Sequence, residues 1–185
     1  MSNPYLESIT KQFQFYRVLG FRAIDQLKDK QLLEVLNDES NSVAIIVKHM
    51  VGNMKSRFTD FLTSDGEKAW RNRDLEFEDG YSSKSEVVKA WNEGWNLLER
   101  TLSEISDLNR IVYIRNQEHT VFEALNRQLT HYAYHIGQIV YIGKMLKGKD
   151  WKSLSIPIWK SIEYNEEKFS KGRNNEHYSD EFMDR

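Results

Sequence analysis

Four stretches of this sequence return an apolar residue every three or four positions, a period that buries one face of each stretch as a helix. The most regular is Val88, Trp91, Trp95, Leu98, Leu102 and Ile105, opened by Ser83-Lys84-Ser85-Glu86 at capping-box spacing. The first in chain order runs through Leu6, Ile9, Phe13, Tyr16, Gly20, Ile24 and Leu27. It follows Asn3 as N-cap and Pro4 at the first helical position, and it predicts a helix to about Lys28. Val43, Val47, Met50, Met54, Phe58 and Phe61 form the second in chain order, ending near Thr63, which makes the Val88-to-Ile105 stretch the third. The fourth begins at the capping box Thr120-Val121-Phe122-Glu123 and continues to about Lys147.

The connections between these stretches are unequal. Residues 64–83 show no clean period and contain Asp65-Gly66 and Asp79-Gly80, so they read as a long crossover. Between the third and fourth predicted helices lies a short β-prone run, Arg110 to Arg115. Four long helices with long crossover connections describe an all-α four-helix bundle, placed at residues 1–150. Residues 151–185 read as a C-terminal extension. Trp151 and the Leu154-Ser155-Ile156-Pro157-Ile158-Trp159 run are too apolar for a free tail, while the chain after Glu166 is polar and expected to fray.

A length of 185 residues suffices for one domain with a real core and no covalent staple. Cysteine is absent, which removes disulfides, thiolate nucleophiles and Cys-ligated zinc, so any transition-metal site must use His, Asp or Glu. With 26 basic and 28 acidic residues mixed along the chain, no dense basic stripe offers itself to nucleic acid. No window approaches a membrane span, and the N-terminus lacks a basic start followed by an apolar stretch. The expectation is a cytoplasmic protein that neither spans a membrane nor binds nucleic acid.

The histidines narrow the chemistry further. His131 and His135 stand four residues apart, on one face of the fourth predicted helix, within a seam that also holds Ala124, Gln128, Gln138 and Ile142. Unpartnered buried polar groups cost about 1–3 kcal/mol each, and a shared metal ion satisfies two imidazoles at once. His49, at the edge of the second predicted helix's apolar face, supplies a third ligand, and Gly52 beside it suggests close approach of a neighbouring helix. Three neutral imidazoles leave a tetrahedral ion with one open position, as in a catalytic zinc site; nickel, cobalt or iron would accept the same donors. A carboxylate-bridged di-iron centre is disfavoured because no Glu-x-x-His occurs, and Tyr132 stands where a His-Glu-x-x-His protease would carry its glutamate. His119 and His177 read as surface histidines, and Trp91 and Trp95 as core. An isolated His-x-x-x-His pair is more often solvated or hydrogen-bonded than metal-bound, so the seam and His49 carry the argument.

His131-Tyr132-Ala133-Tyr134-His135-Ile136-Gly137-Gln138, with a histidine on the second long helix, resembles the DinB/YfiT-like superfamily of bacterial four-helix bundles. Trp70-Arg71-Asn72-Arg73-Asp74 with Glu76-Phe77, and Leu154-Ser155-Ile156-Pro157, resemble an uncharacterised branch of it, although Ile158-Trp159-Lys160-Ser161 departs from that branch's usual continuation. The resemblance implies a divalent-metal site at His49, His131 and His135, zinc or nickel, and a low-molecular-weight-thiol-dependent S-transferase acting on a small molecule. It also implies a homodimer, with Ile156, Ile158 and Trp159 as one candidate contact. Arg71 and Arg73 would then orient an anionic thiol cofactor or substrate, with Asn72 and Asp74 on a polar rim. Against this stands a salt-bridged loop staple made of Arg71, Arg73, Asp74 and Glu76. Gln138 and Asn53 are candidate hydrogen-bond partners for the imidazoles. The competing function is a non-catalytic metal-binding or stress-response bundle.

Overall fold

The computed structural model describes residues 3–78 and 80–183. The fold is all-α. Seven α-helices occur among the described residues, α1 (Pro4–Asp25), α2 (Asp29–Leu33), α3 (Val43–Phe58), α4 (Lys84–Glu104), α5 (Val121–Lys147), α6 (Ser161–Ser170) and α7 (Asp180–Met183). A hairpin, β1 (Ile111–Ile114) and β2 (Gln117–Thr120), pairs antiparallel with Ile111 opposite Thr120 and Ile114 opposite Gln117.

The four expected long helices are α1, α3, α4 and α5, and their starts follow side-chain chemistry. Asn3 Oδ1 accepts from the Tyr5 and Leu6 amides, Ser42 Oγ from Ile45, and Ser83 Oγ from Glu86. At α5 the capping box is reciprocal, because Thr120 Oγ1 accepts from the Glu123 amide while the Glu123 carboxylate accepts from the Thr120 amide. The box expected at α4 is not, since Glu86 turns back to the amide and hydroxyl of Ser82 instead. The first predicted helix stops three residues early at Asp25, and the chain restarts as α2.

α1 lies between α4 and α5, and α3 lies between the same two helices on the other side. Tyr5 bonds Asn126 at 2.9 Å and Leu27 lies near Gly143, so α1 and α5 run parallel. Gly94 faces Val51 and Met54, and Thr101 Oγ1 donates to Phe58 O at 3.1 Å, so α3 and α4 also run parallel. Neighbouring parallel helices need a connection as long as themselves, which is the physical reason for the crossover over residues 59–83. The core holds Phe13, Trp91, Trp95 and Tyr132 among its largest buried side chains. Gly20 is required here, because a methyl at its Cβ position would overlap the Trp91 ring.

The extension divides in two. Trp151 and Leu154 pack against the core, while Ile158 and Trp159 face solvent, Trp159 with 94% of its surface exposed. Where fraying is expected beyond Glu166, the chain forms α6 and then returns to α1. Lys11 pairs with Asp180 at 2.7 Å, Ser8 Oγ contacts His177 Nε2 at 3.2 Å, and Arg22 donates to Phe182 O at 2.7 Å. No helix among the described residues is long and apolar enough to cross a membrane.

Candidate metal centre

α3 carries His49 and α5 carries His131 and His135, and because these helices run antiparallel, with Asn53 opposite Tyr132, the three rings meet at one level. His131 Nε2 lies 3.4 Å from His49 Nε2 and 3.1 Å from His135 Nε2. One ligand atom from each of the three lies within 4.8 Å of the others, a group that could hold a metal ion.

The outer nitrogens explain how the inner ones are presented. His49 Nδ1 is 2.9 Å from Glu76 Oε2, and His135 Nδ1 is 2.8 Å from Gln138 Oε1. Both partners are acceptors, so each ring carries its proton on Nδ1 and turns a lone pair on Nε2 inward. Two lone pairs facing a third imidazole nitrogen are repulsive unless a proton or cation lies among them. Burial, then the neighbouring His135 and His49, lower the His131 pKa to about 3, so His131 is uncharged near neutrality. A single Nε2–H on it would satisfy one of the two facing lone pairs, whereas a metal cation satisfies all three nitrogens. The residues present therefore fit a divalent ion bound through three imidazole nitrogens.

Glu76 is the residue that sequence reasoning missed in this role. It sits in a 3-10 turn, Asp74–Phe77, within the crossover, and only 6% of it is exposed. Such a carboxylate needs partners on both oxygens. Arg71 supplies them bidentately, Nε to Oε1 at 2.7 Å and Nη2 to Oε2 at 2.9 Å. Burial would raise the Glu76 pKa, but the His49 hydrogen bond and the Arg71 guanidinium bring it below the usual glutamate value. Gly52 makes the approach possible, since a methyl there would strike the Glu76 carboxylate. The close approach expected at Gly52 is therefore made by a side chain of the crossover rather than by a helix.

The Trp70-to-Phe77 segment thus has a local logic. Asn72 Oδ1 accepts from the Leu75 amide at 3.3 Å and starts the turn. Phe77 stacks on His49 with ring centroids 4.9 Å apart, and Arg73 lies 5.0 Å over the Phe77 ring. Arg71 directs its donors to Glu76 and Glu67, and its side chain is 3% exposed. Asn53 is not an imidazole partner, since its Oδ1 accepts from the Tyr132 hydroxyl at 3.0 Å. His119 stays at the surface beside Arg127, and His177 lies between Ser8 and Ser179 on α1's outer side.

A cavity of about 180 Å³ opens beside the cluster, lined by His49 and His131 together with Arg57, Arg71, Arg73 and Arg127. A family model described as "Protein of unknown function (DUF1572)" matches residues 1–160. The chain belongs to the DUF1572 family. The matched range takes in all three histidines and the Glu76 turn that orients one of them, and it ends just before α6 of this DUF1572 chain. No curated protein and no solved structure matches it.

Proposed function

We propose that this protein is a divalent-metal-dependent enzyme whose ion, zinc or nickel, is held by His49, His131 and His135 and which acts on a small molecule. The observation that supports the reading is the convergence of three Nε2 atoms, two of them given inward lone pairs by Glu76 and Gln138. Two of the three imidazoles, His49 and His131, line the cavity, from which a fourth ligand would enter.

Among reactions, activation of a low-molecular-weight thiol suits the site best, in keeping with the DinB/YfiT-like resemblance. The chain has no cysteine of its own, so the nucleophilic sulfur must come from a bound thiol. When bound, the ion supplies Lewis acidity that lowers the thiol pKa. The protein's part is to hold the imidazoles neutral and fixed. Arg71 clamps Glu76, Glu76 fixes the His49 ring, and Phe77 covers its face. Arg73 stands at the cavity mouth, where it meets an anionic group of the incoming molecule. Overall, one sulfur–carbon bond forms and one bond from carbon to a leaving group breaks; the leaving group keeps the bonding pair and the thiol proton passes to water.

Metal analysis of the purified protein, followed by turnover assays with small thiols and a generic electrophile, tests the reading. One equivalent of metal and thiol-dependent turnover lost in His135→Ala, with the fold retained, are expected. A protein that binds metal but turns over no thiol, and whose melting temperature collapses in His135→Ala, would instead have a structural ion.

A further inference from the structure

The cavity beside the histidines carries guanidinium groups in excess of their counter-charges. Five arginines, Arg57, Arg71, Arg73, Arg115 and Arg127, line it. The carboxylates paired with them are two, Glu67 with Arg57, Arg71 and Arg115, and Glu76 with Arg71. Arg73 meets only the Phe77 ring and Arg127 only His119 Nε2, at 3.0 Å; neither has a carboxylate partner among the described residues. Concentrating cations around a concave, partly desolvated space is unfavourable unless an anion enters it.

A second observation is independent of the charge count. Arg57 and Gln128 are 5% and 3% exposed, both line this cavity, and each has a buried polar atom with no hydrogen-bond partner, Arg57 Nε and Gln128 Oε1. His131, with Nδ1, is a third. Three of the five residues that carry such an atom among the described residues line this one small space, which marks it as a place where a polar molecule completes the hydrogen bonding. Of the other Arg57 donors, Nη1 is committed to Gly66 O and Glu67, which leaves Nε and Nη2 as donors for a ligand.

We infer that this cavity is an oxyanion seat which binds a carboxylate or phosphate group of the substrate through Arg57, Arg73 and Arg127, and places the rest of the molecule against His49 and His131 of the histidine cluster. The inference rests on the catalytic reading above and narrows its substrate to a small anionic molecule. His49 and His131 line the same space as the arginines, so one compact molecule can meet both sets of side chains. The guanidinium fork recognises either kind of oxyanion in a bidentate fashion.

Calorimetric titration of the full chain, freed of metal by chelation, with inorganic phosphate and with succinate at constant ionic strength tests the seat apart from the metal. One site per chain is expected for at least one of the two anions, and the better binder identifies the group; the uncharged succinamide should not bind. The double variant Arg73→Gln with Arg127→Gln removes two exposed side chains that hold no structural carboxylate, and should weaken binding by about tenfold or more. Metal stoichiometry of that variant should equal the wild type's. No binding of either anion by the wild type, or unchanged affinity in the double variant, overturns the proposal. Arginine-dependent anion binding by a protein that takes up no metal would leave the seat standing and remove the metal-enzyme reading.

Discussion

At Glu76 a carboxylate taken out of water is held by a bidentate guanidinium on one side and an imidazole N–H on the other, and each of the three groups is poorly placed without the others. Glu76→Gln should therefore lower metal affinity by about 10–100-fold, the usual effect of losing a ligand's hydrogen-bond partner, as read by competition with a chelating dye. Gly52→Ala should act in the same direction without touching any charged group, because its methyl displaces the carboxylate. Unchanged affinity in both variants would separate Glu76 from the metal centre. The histidines were legible in the sequence because they interrupt an apolar seam whose period is readable. Glu76 was not, because it lies on a segment without period and reaches His49 only through tertiary approach; the adjacent Gly52 was its one trace. Arg57 was hidden for a similar reason, as a charged residue on an apolar helix whose burial depends on the Gly66 and Glu67 loop.

Among the elements, the hairpin shows how far local signals reach. Its turn residues, Arg115 and Asn116, both have positive φ, 56° and 60°, a conformation that usually calls for glycine. Asp65 holds them there, with Oδ1 accepting from the Arg115 amide at 2.8 Å and Oδ2 from Asn116 at 2.7 Å. The β-prone run was visible from Arg110 to Arg115, around β1, but β2 reads Gln-Glu-His-Thr and its turn lacks Gly, so the pairing had no sequence signature. Burial would raise the Asp65 pKa, yet amide donors of Asn116, Glu67 and Arg115 bring it below its ordinary 3.8. A carboxylate with a folded pKa below the unfolded one contributes stability above the unfolded value and loses it as pH falls through the folded one. Asp65→Asn should accordingly flatten the acid limb of a stability-against-pH curve below about pH 4, measured by urea denaturation. At the α1–α4 contact, Gly20→Ala forces the Trp91 ring aside and should cost about 1–3 kcal/mol in the same assay.

For the whole molecule, a formal net charge of −2 conceals a local excess of positive charge, because the arginines of the cavity come from α3, the crossover, the hairpin turn and α5. No linear window could show it. The helix pattern, by contrast, was legible because burial of four apolar faces is set by local period, and the long crossover follows from α3 and α4 running parallel. The apo protein should weaken in acid: the folded His131 pKa of about 3 lies below the ordinary 6.5, so the unfolded chain takes up a proton that the folded chain refuses. Stability should fall as pH drops from 6.5 toward 3, and bound metal should make the neutral-pH form more stable still. At metal concentrations one hundred times the dissociation constant the added stability is about 2.7 kcal/mol, or a melting-temperature rise of about 5–11 °C. The most direct test of the central claim is the metal content of the purified protein by mass spectrometry, compared with His131→Ala of verified helical content. One equivalent of zinc or nickel per chain, absent from the variant, is the predicted result; no stoichiometric metal in the wild type, or the same metal in the variant, would contradict it.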